Sequence, residues 1–348
     1  MSHTNIIRKS FAFTSGAETL AADLVLPDGP GPFPGFLNIA GTGSWDRFGD
    51  GYSPTGAAIK GGRDRWVSER LARAGFAGLF WDKRGVGEST GGDREPGDPP
   101  GNRDSYTDVL TDVQDAESAL KALADRPEVD PARIGVMGHS AGVYFACLLA
   151  ERTDVPATYI FSGGVYRRAD ISLSYMFDLV RKYIGDDEER RAFAEKNSPW
   201  SYWAVHHWDE VLEAIHRGDE VFVRQHGDFT FEMYLRRHRM EVQIPREMQF
   251  RHVKAPTMVV HGEYDYFVPP KNAYWMAGQI RENGNRDVAV AIIPRTDHGW
   301  RLYPHAAGDE ELMRDILSGG SGGYPWSELK MHTIVGWLKD RLVVSSPA

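Results

Sequence analysis

The sequence predicts an α/β fold with a mainly parallel, doubly wound sheet, and two observations carry this prediction. Several apolar runs are continuous rather than alternating, which is typical of strands that are covered on both faces. Helical patterns lie between these runs, and strands that alternate with helices usually pair in parallel. The chain therefore reads as a layered domain rather than as a bundle of helices or a β-sandwich.

The elements follow one another along the chain. Alternating residues around Phe11–Phe13 and Ala21–Leu26, separated by Thr14-Ser15-Gly16, predict an opening strand pair. An amphipathic helix ends near Leu123 and begins near Asp104 or Ser105. Further buried strands are predicted at residues 36–40, 76–81, 133–137, 158–161, 257–260 and 288–293, and further helices at 65–74 and 327–342.

Residues 166–252 interrupt the alternation of strands and helices. This segment contains no clear strand pattern, but it contains helical patterns, such as the apolar residues from Leu173 to Ile184 that end at Gly185. We therefore expect a core domain formed by residues 1–165 and 253–348, and an all-helical insertion at 166–252.

Composition excludes several classes of protein. The net charge of −9 argues against a general nucleic-acid binder, because phosphate binding needs a basic face. No stretch approaches the roughly 20 apolar residues that span a bilayer, and the first residues lack the apolar run of a signal peptide. Cys147 is the only cysteine, which excludes intramolecular disulfides and thiolate zinc sites. We expect a cytoplasmic protein with no nucleic-acid or membrane partner.

The stretch Gly138-His139-Ser140-Ala141-Gly142 follows a predicted buried strand and leads into a predicted helix. This is the context of a nucleophile elbow, a strained turn that holds a serine hydroxyl at the carboxyl end of a sheet. The small residues at 138 and 142 let the strand, turn and helix approach each other. A serine that merely begins a helix is the alternative. The context favours a nucleophile at Ser140.

A serine nucleophile needs a base, and the base needs an orienting carboxylate. Asp265 lies in HGEYDYFVPP after one predicted strand, and His298 lies in PRTDHGW after the next. Both fall on the rim expected for Ser140, in the chain order nucleophile, acid, histidine. Asp297 is the rival acid, but it is adjacent to His298 and poorly placed to reach the imidazole Nδ1. We predict a Ser140, Asp265 and His298 triad.

With these motifs the chain resembles the α/β-hydrolase superfamily and, within it, serine esterases. The matching segments are WDKRGVGES at 81–89, the elbow, HGEYDYFVPP and Asp297-His298-Gly299. The resemblance covers roughly residues 10–165 and 253–342 and leaves the insertion unmatched. It implies an eight-stranded sheet, the same triad, and no metal or organic cofactor.

In this family an oxyanion hole takes one backbone N–H from the residue after the nucleophile, which is Ala141 here. The second N–H comes from the loop after Ile39. Many relatives carry His-Gly at the start of that loop, whereas this chain has Ala40-Gly41. We favour the amide of Thr42 as the second donor, with Gly43 as the alternative.

The insertion leaves the sheet and returns to it near the rim that carries the triad, so we expect it to form a cap over Ser140. Four bulky residues in it suit the wall of a hydrophobic acyl pocket: Trp200, Trp203, Trp208 and Tyr234. Equally, the same aromatics could form the core of the cap. A contact between two copies of the chain is a further alternative, which makes a homodimer one expectation.

These observations predict a serine hydrolase that cleaves a carboxylic ester or related acyl bond of a small molecule through an acyl-enzyme. An acyltransferase, a cyclase or a carbon–carbon bond hydrolase would use the same triad. A non-catalytic receptor that uses the pocket for ligand binding is the alternative from a different class. The complete set of predicted triad residues argues against it.

Overall fold

Eight strands form one sheet in the computed structural model of the chain, which describes residues 5–52, 58–91, 109–243 and 246–343. Together with the strands of two smaller sheets, the strands of the described residues are β1 (Ile6–Ser15), β2 (Glu18–Pro27), β3 (Phe33–Ile39), β4 (Ser44–Trp45), β5 (Asp50–Tyr52), β6 (Ala58–Lys60), β7 (Ala77–Trp81), β8 (Val129–His139), β9 (Thr158–Ser162), β10 (Val221–His226), β11 (Phe229–Tyr234), β12 (Thr257–Tyr264) and β13 (Val288–Asp297). The order across the large sheet is β1-β2-β7-β3-β8-β9-β12-β13.

The sheet is parallel from β7 to β13, and β2 pairs antiparallel with both β1 and β7. This confirms the predicted strand pair at the start and the predicted parallel sheet. Because β8, β12 and β13 run in the same direction, the residues that follow them lie along one edge of the sheet. Those are the strands that precede Ser140, Asp265 and His298.

Helices cover both faces of the sheet. The helices of the described residues are α1 (Arg63–Ala74), α2 (Val109–Ala124), α3 (Ala141–Arg152), α4 (Ala169–Ile184), α5 (Glu188–Asn197), α6 (Pro199–Arg217), α7 (Arg236–Gln243), α8 (Lys271–Glu282), α9 (Asp309–Ser318) and α10 (Glu328–Leu342), of which α1, α2, α3, α8 and α10 pack against the sheet. One apolar core includes side chains of α2, α3 and α8, and another includes those of α1 and α10. The doubly wound arrangement is therefore confirmed. The predicted start of α2 at Asp104 or Ser105 lies outside the described residues.

The expectation that the insertion is all-helical is wrong. β10 and β11 form an antiparallel hairpin in which His226 faces Phe229 across a two-residue turn, and Gly227 has a φ of 55°. Phe222 and Phe231 are buried on this hairpin. The alternation of Phe229, Phe231 and Met233 after a Gly-Asp turn was the available signal. Polar residues on β10 interrupt the pattern in the first strand, so the hairpin was not predicted. The small sheet of β4, β5 and β6 was also missed.

The inserted segment, residues 166–252, has an apolar core of its own. Phe177, Trp208 and Phe231 belong to this core, together with Met313 and Leu317 of α9. The segment is therefore held to the rest of the chain partly through apolar contacts with α9.

A buried serine caps α10. The Ser327 Oγ accepts a hydrogen bond from the Lys330 N–H at 3.3 Å and one from the Thr296 hydroxyl at 2.9 Å. We expect Ser327→Ala to lower the free energy of unfolding by about 1 to 2 kcal/mol, since the Lys330 N–H loses its acceptor and the Thr296 hydroxyl is left with the Pro294 carbonyl at 3.0 Å. Urea denaturation measures this. Ser318→Ala is the control, because its hydroxyl is exposed and donates to the carbonyl of Arg314. Equal stability of Ser327→Ala and the wild type would contradict the capping role.

Candidate active site

Ser140 lies in a strained backbone conformation between β8 and α3. Its φ of 56° and ψ of −122° place a non-glycine residue in a sparsely populated region, at a cost of about 1 to 3 kcal/mol. The Ser140 N–H donates to the carbonyl of Ser162 at 2.9 Å, and the Val143 N–H donates to the carbonyl of Ser140 at 3.1 Å. Such strain persists only where the surrounding structure holds it in place.

Three glycines allow the backbone to crowd around Ser140. A Cβ atom on Gly138 would lie 2.4 Å from the carbonyl oxygen of Gly142, and one on Gly142 would lie 2.2 Å from that of Ile39. On Gly41 it would lie 2.8 Å from the Ser140 Cβ. These contacts are the physical reason for small residues on both sides of the serine.

His298 and Asp265 are brought together at the same edge of the sheet. The imidazole Nδ1 lies 2.8 Å from the Asp265 Oδ2, and the second oxygen of Asp265 accepts from the Val268 N–H at 2.7 Å. Asp265 is buried, whereas the His298 side chain is 17% exposed. The His298 ring lies 4.8 Å, between centroids, from that of His139, the neighbour of Ser140.

Asp297, the rival acid, has other partners. Its Oδ1 accepts from the Arg301 N–H at 2.8 Å. Burial raises the pKa of the Asp297 carboxyl. Of the two acids, Asp265 is the one hydrogen-bonded to the imidazole.

The loop after β3 approaches the elbow through Gly41. The Gly41 carbonyl accepts from the Lys83 Nζ at 2.6 Å, and the Thr42 carbonyl accepts from the Trp45 indole at 2.6 Å. Thr42 is exposed, and Gly43 has a φ of 117°. Ala141 is the first residue of α3. Sequence analysis did not identify Lys83, because nothing in the local pattern indicates a contact across 42 positions of the chain.

The loop after β7 supports the loop after β3 through buried charges. The Asp82 carboxylate accepts from the N–H groups of Arg47 at 2.7 Å and Glu88 at 2.9 Å. Burial raises the pKa of Asp82. Arg84 forms an ion pair with Asp115 at 2.7 Å. Asp82 thus joins the two loops, and Arg84 ties the loop after β7 to α2.

The ring contacts of the predicted tryptophans lie within the inserted segment. Trp200, Trp203 and Trp208 make their ring contacts with side chains of the inserted segment. The Trp208 indole donates to the Ser174 hydroxyl at 2.7 Å inside that segment. This favours the alternative that these residues form the core of the segment. Tyr234 is half-buried at the end of β11.

One aromatic side chain that the sequence analysis overlooked does contact the site. Phe267 is 43% exposed, and its ring centroid lies 5.6 Å from that of His298. An exposed apolar side chain next to the imidazole provides a hydrophobic surface at the mouth of the site. Phe267 follows the predicted acid Asp265 by two residues, and this position in the sequence could have indicated that it lies near the site.

Two negative findings concern the described residues only. Among their His, Cys, Asp and Glu side chains, no group of three or more is arranged to hold a metal ion. None of the helices in the described ranges is long and apolar enough to cross a membrane.

Solved structures of other proteins share the fold of this chain. A hypothetical protein from Pseudomonas aeruginosa aligns with a TM-score of 0.58 and 14% identity over 98% of this chain and 96% of its own. A Pyrococcus furiosus esterase aligns with a TM-score of 0.56 and 16% identity over 97% and 92%. An acylaminoacyl peptidase from Pyrococcus horikoshii has a TM-score of 0.56 and 13% identity over 99% of this chain but 43% of its own. At these identities the likeness shows the fold alone, which is that of an α/β hydrolase.

The family follows from the sequence itself. Residues 56–300 match the family model described as serine aminopeptidase, S33. The chain therefore belongs to this family of α/β-fold serine hydrolases. No curated protein sequence matches the chain.

The close approach at Gly41 gives a prediction. Gly41→Ala places a Cβ 2.8 Å from the Ser140 Cβ and from the His139 carbonyl oxygen, so the loop or the elbow must shift. We expect kcat/KM for a p-nitrophenyl ester to fall by about 10². Gly278→Ala is the matched control, since nothing lies within 4 Å of its added Cβ. Unchanged kcat/KM in Gly41→Ala would show that the elbow does not depend on this contact.

Proposed function

We propose that the protein is a serine hydrolase that cleaves a carboxylic ester or related acyl bond through an acyl-enzyme on Ser140. The observation that carries the proposal is the Asp265–His298 hydrogen bond of 2.8 Å, at the sheet edge where Ser140 adopts its strained conformation. A nucleophile, a base and an orienting acid are the groups that acyl transfer needs. Membership of the serine aminopeptidase family supports the same chemistry.

The proposed mechanism uses the same three side chains in both half-reactions. Asp265 accepts the Nδ1 proton of His298 in a hydrogen bond, which leaves Nε2 to take the proton from the Ser140 hydroxyl. The serine oxygen attacks the carbonyl carbon, and His298 then gives the proton to the leaving group. Water repeats the attack on the acyl-enzyme and releases the acid. These steps need no metal or organic cofactor.

The developing oxyanion needs backbone donors, for which we propose Ala141 and Thr42. Ala141 is at the N-terminus of α3, where the helix dipole favours negative charge. The N–H of a trans peptide points away from its C=O. Because Lys83 binds the Gly41 carbonyl, the Thr42 N–H of the same peptide points away from Lys83. Gly43 is the second choice. Its N–H belongs to the same peptide as the Thr42 carbonyl, which the Trp45 indole binds, so this N–H points away from Trp45.

For the substrate, we propose a small ester with an apolar group. Phe267 supplies an exposed apolar surface beside His298, and the inserted segment is proposed as a cap over the site. A panel of esters of different chain length, a thioester and an amino-acid amide tests the substrate class. Preference for the amide would favour an aminopeptidase, and products that carry the acyl group on a second alcohol or amine would favour transfer.

The nucleophile is tested by Ser140→Ala. We expect turnover of the best ester to fall by roughly 10⁴ to 10⁶, because only substrate binding and the oxyanion donors remain. Ser172→Ala, a serine on α4, is the control and should keep wild-type turnover. Substantial activity in Ser140→Ala would mean that another group is the nucleophile.

The choice of acid is tested by comparing two isosteric variants. Asp265→Asn should lower kcat by roughly 10³ to 10⁴, because the amide no longer holds the required tautomer of His298. Asp297→Asn should keep kcat within about tenfold of the wild type, since its carboxylate binds the Arg301 N–H rather than the imidazole. The reverse ranking would assign the acid to Asp297.

A further inference from the structure

A fully buried lysine lies behind the proposed triad. Lys330, in the first turn of α10, has an exposed fraction of 0%. Its Nζ makes no hydrogen bond to any described residue, and it lies 4.5 Å from the centroid of the Trp300 ring. Lysine is almost never fully buried without a partner, because burial disfavours the charged form. Its position therefore needs a physical explanation.

The ring beneath Lys330 is part of the support of the active site. Trp300 follows His298 by two residues, and its indole donates to the Ser162 hydroxyl at 3.1 Å. The Ser162 carbonyl in turn accepts the Ser140 N–H at 2.9 Å. The same hydroxyl lies 3.4 Å from the His139 Nδ1. Lys330 is thus one layer of side chains behind the elbow and the histidine.

The electrostatic environment of Lys330 contains charges of both signs. Burial lowers the pKa of Lys330 to about 7, and Arg63 acts in the same direction. Asp265 and Asp297 act against this shift by attracting the ammonium. On α10 itself, the nearby Glu328 is engaged by Arg70 at 2.6 Å.

Three histidines complete this environment. Burial lowers the pKa of His139 well below its usual range and that of His261 to about 3, so both are neutral near pH 7. The positive charge of Lys330 contributes to the lowering at each of them. His298 is the remaining histidine, and its partner Asp265 is also one of the two carboxylates that attract Lys330.

We propose that Lys330 is a positioning residue of the active site, whose buried ammonium offsets the Asp265 and Asp297 carboxylates behind the His298 imidazole. This inference rests on the proposed function, in which His298 must be unprotonated to accept the serine proton. A buried carboxylate next to an imidazole favours the imidazolium ion. A cation behind the pair opposes that effect. Because the local polarity is low, the electrostatic influence of the cation extends beyond contact distance.

The test is the pH dependence of kcat/KM in Lys330→Met, which keeps the volume of the side chain and removes its charge. We expect the acid limb to move to higher pH by roughly 0.5 to 1 unit. KM should not change, because Lys330 is sealed from the substrate. Lys339→Met, on the same helix, is the control and should retain the wild-type profile.

Thermal unfolding separates this role from simple packing. The folded protein binds the Lys330 proton less tightly than the unfolded chain, so between about pH 7 and 10.5 this group makes the wild type more stable as pH rises. Lys330→Met removes the free-energy cost of burying this charge. The unfolding temperature of the variant at pH 7 should therefore equal or exceed that of the wild type. A lower unfolding temperature together with an unshifted acid limb would identify Lys330 as a packing residue and overturn the proposal.

A second readout does not depend on turnover. The His298 ring signal, assigned by its loss in His298→Gln, can be titrated by NMR in the wild type and in Lys330→Met. The midpoint should move upward in Lys330→Met, and Lys330→Gln should show the same direction if Lys330→Met does not fold. Coincident midpoints would overturn the inference. A shifted midpoint in a protein whose Ser140→Ala variant keeps its activity would reject the proposed nucleophile and leave the electrostatic inference standing.

Discussion

The positive φ of Ser140 is the constraint on which the rest of the site depends. An ordinary residue avoids this conformation, and here the N–H of Ser140 is held by Ser162 while the strand and helix on either side are fixed by the sheet. The turn is possible only because Gly138, Gly142 and Gly41 have no side chain to collide with neighbouring backbone. The strain is thus balanced by contacts from three separate parts of the chain.

The groups around the turn are arranged by topology and by charge. Parallel pairing of β9, β12 and β13 delivers Asp265 and His298 to the edge where β8 ends. Behind this edge, charged groups fix the backbone: the buried Asp82 binds two N–H groups, and the half-buried Lys83 binds the carbonyl of Gly41. A polar group buried without such partners is costly, which is why Lys330, whose Nζ makes no hydrogen bond to any described residue, stands out.

Sequence analysis predicted the features that have a local sequence pattern. Ser140, Asp265 and His298 each follow a recognisable buried strand, so their shared edge could be predicted from strand order. The β10–β11 hairpin was missed because polar residues interrupt its first strand, although its Gly-Asp turn was visible. Lys83 and Lys330 could not be found in this way, since their importance comes from contacts with residues distant in the chain. The helical periodicity around Trp208 predicts an apolar face, but it does not show which side chains pack against that face.

The central claim is that Ser140 is the nucleophile, and site mapping with a fluorophosphonate tests it most directly. The probe forms a stable adduct with an activated serine, and mass spectrometry of the digested protein locates it. We predict a single adduct on the peptide that contains Ser140, formed by the native protein and lost when His298 is replaced by alanine or the protein is unfolded before exposure. An adduct on a different residue, or none under conditions in which the native protein hydrolyses esters, would contradict the account.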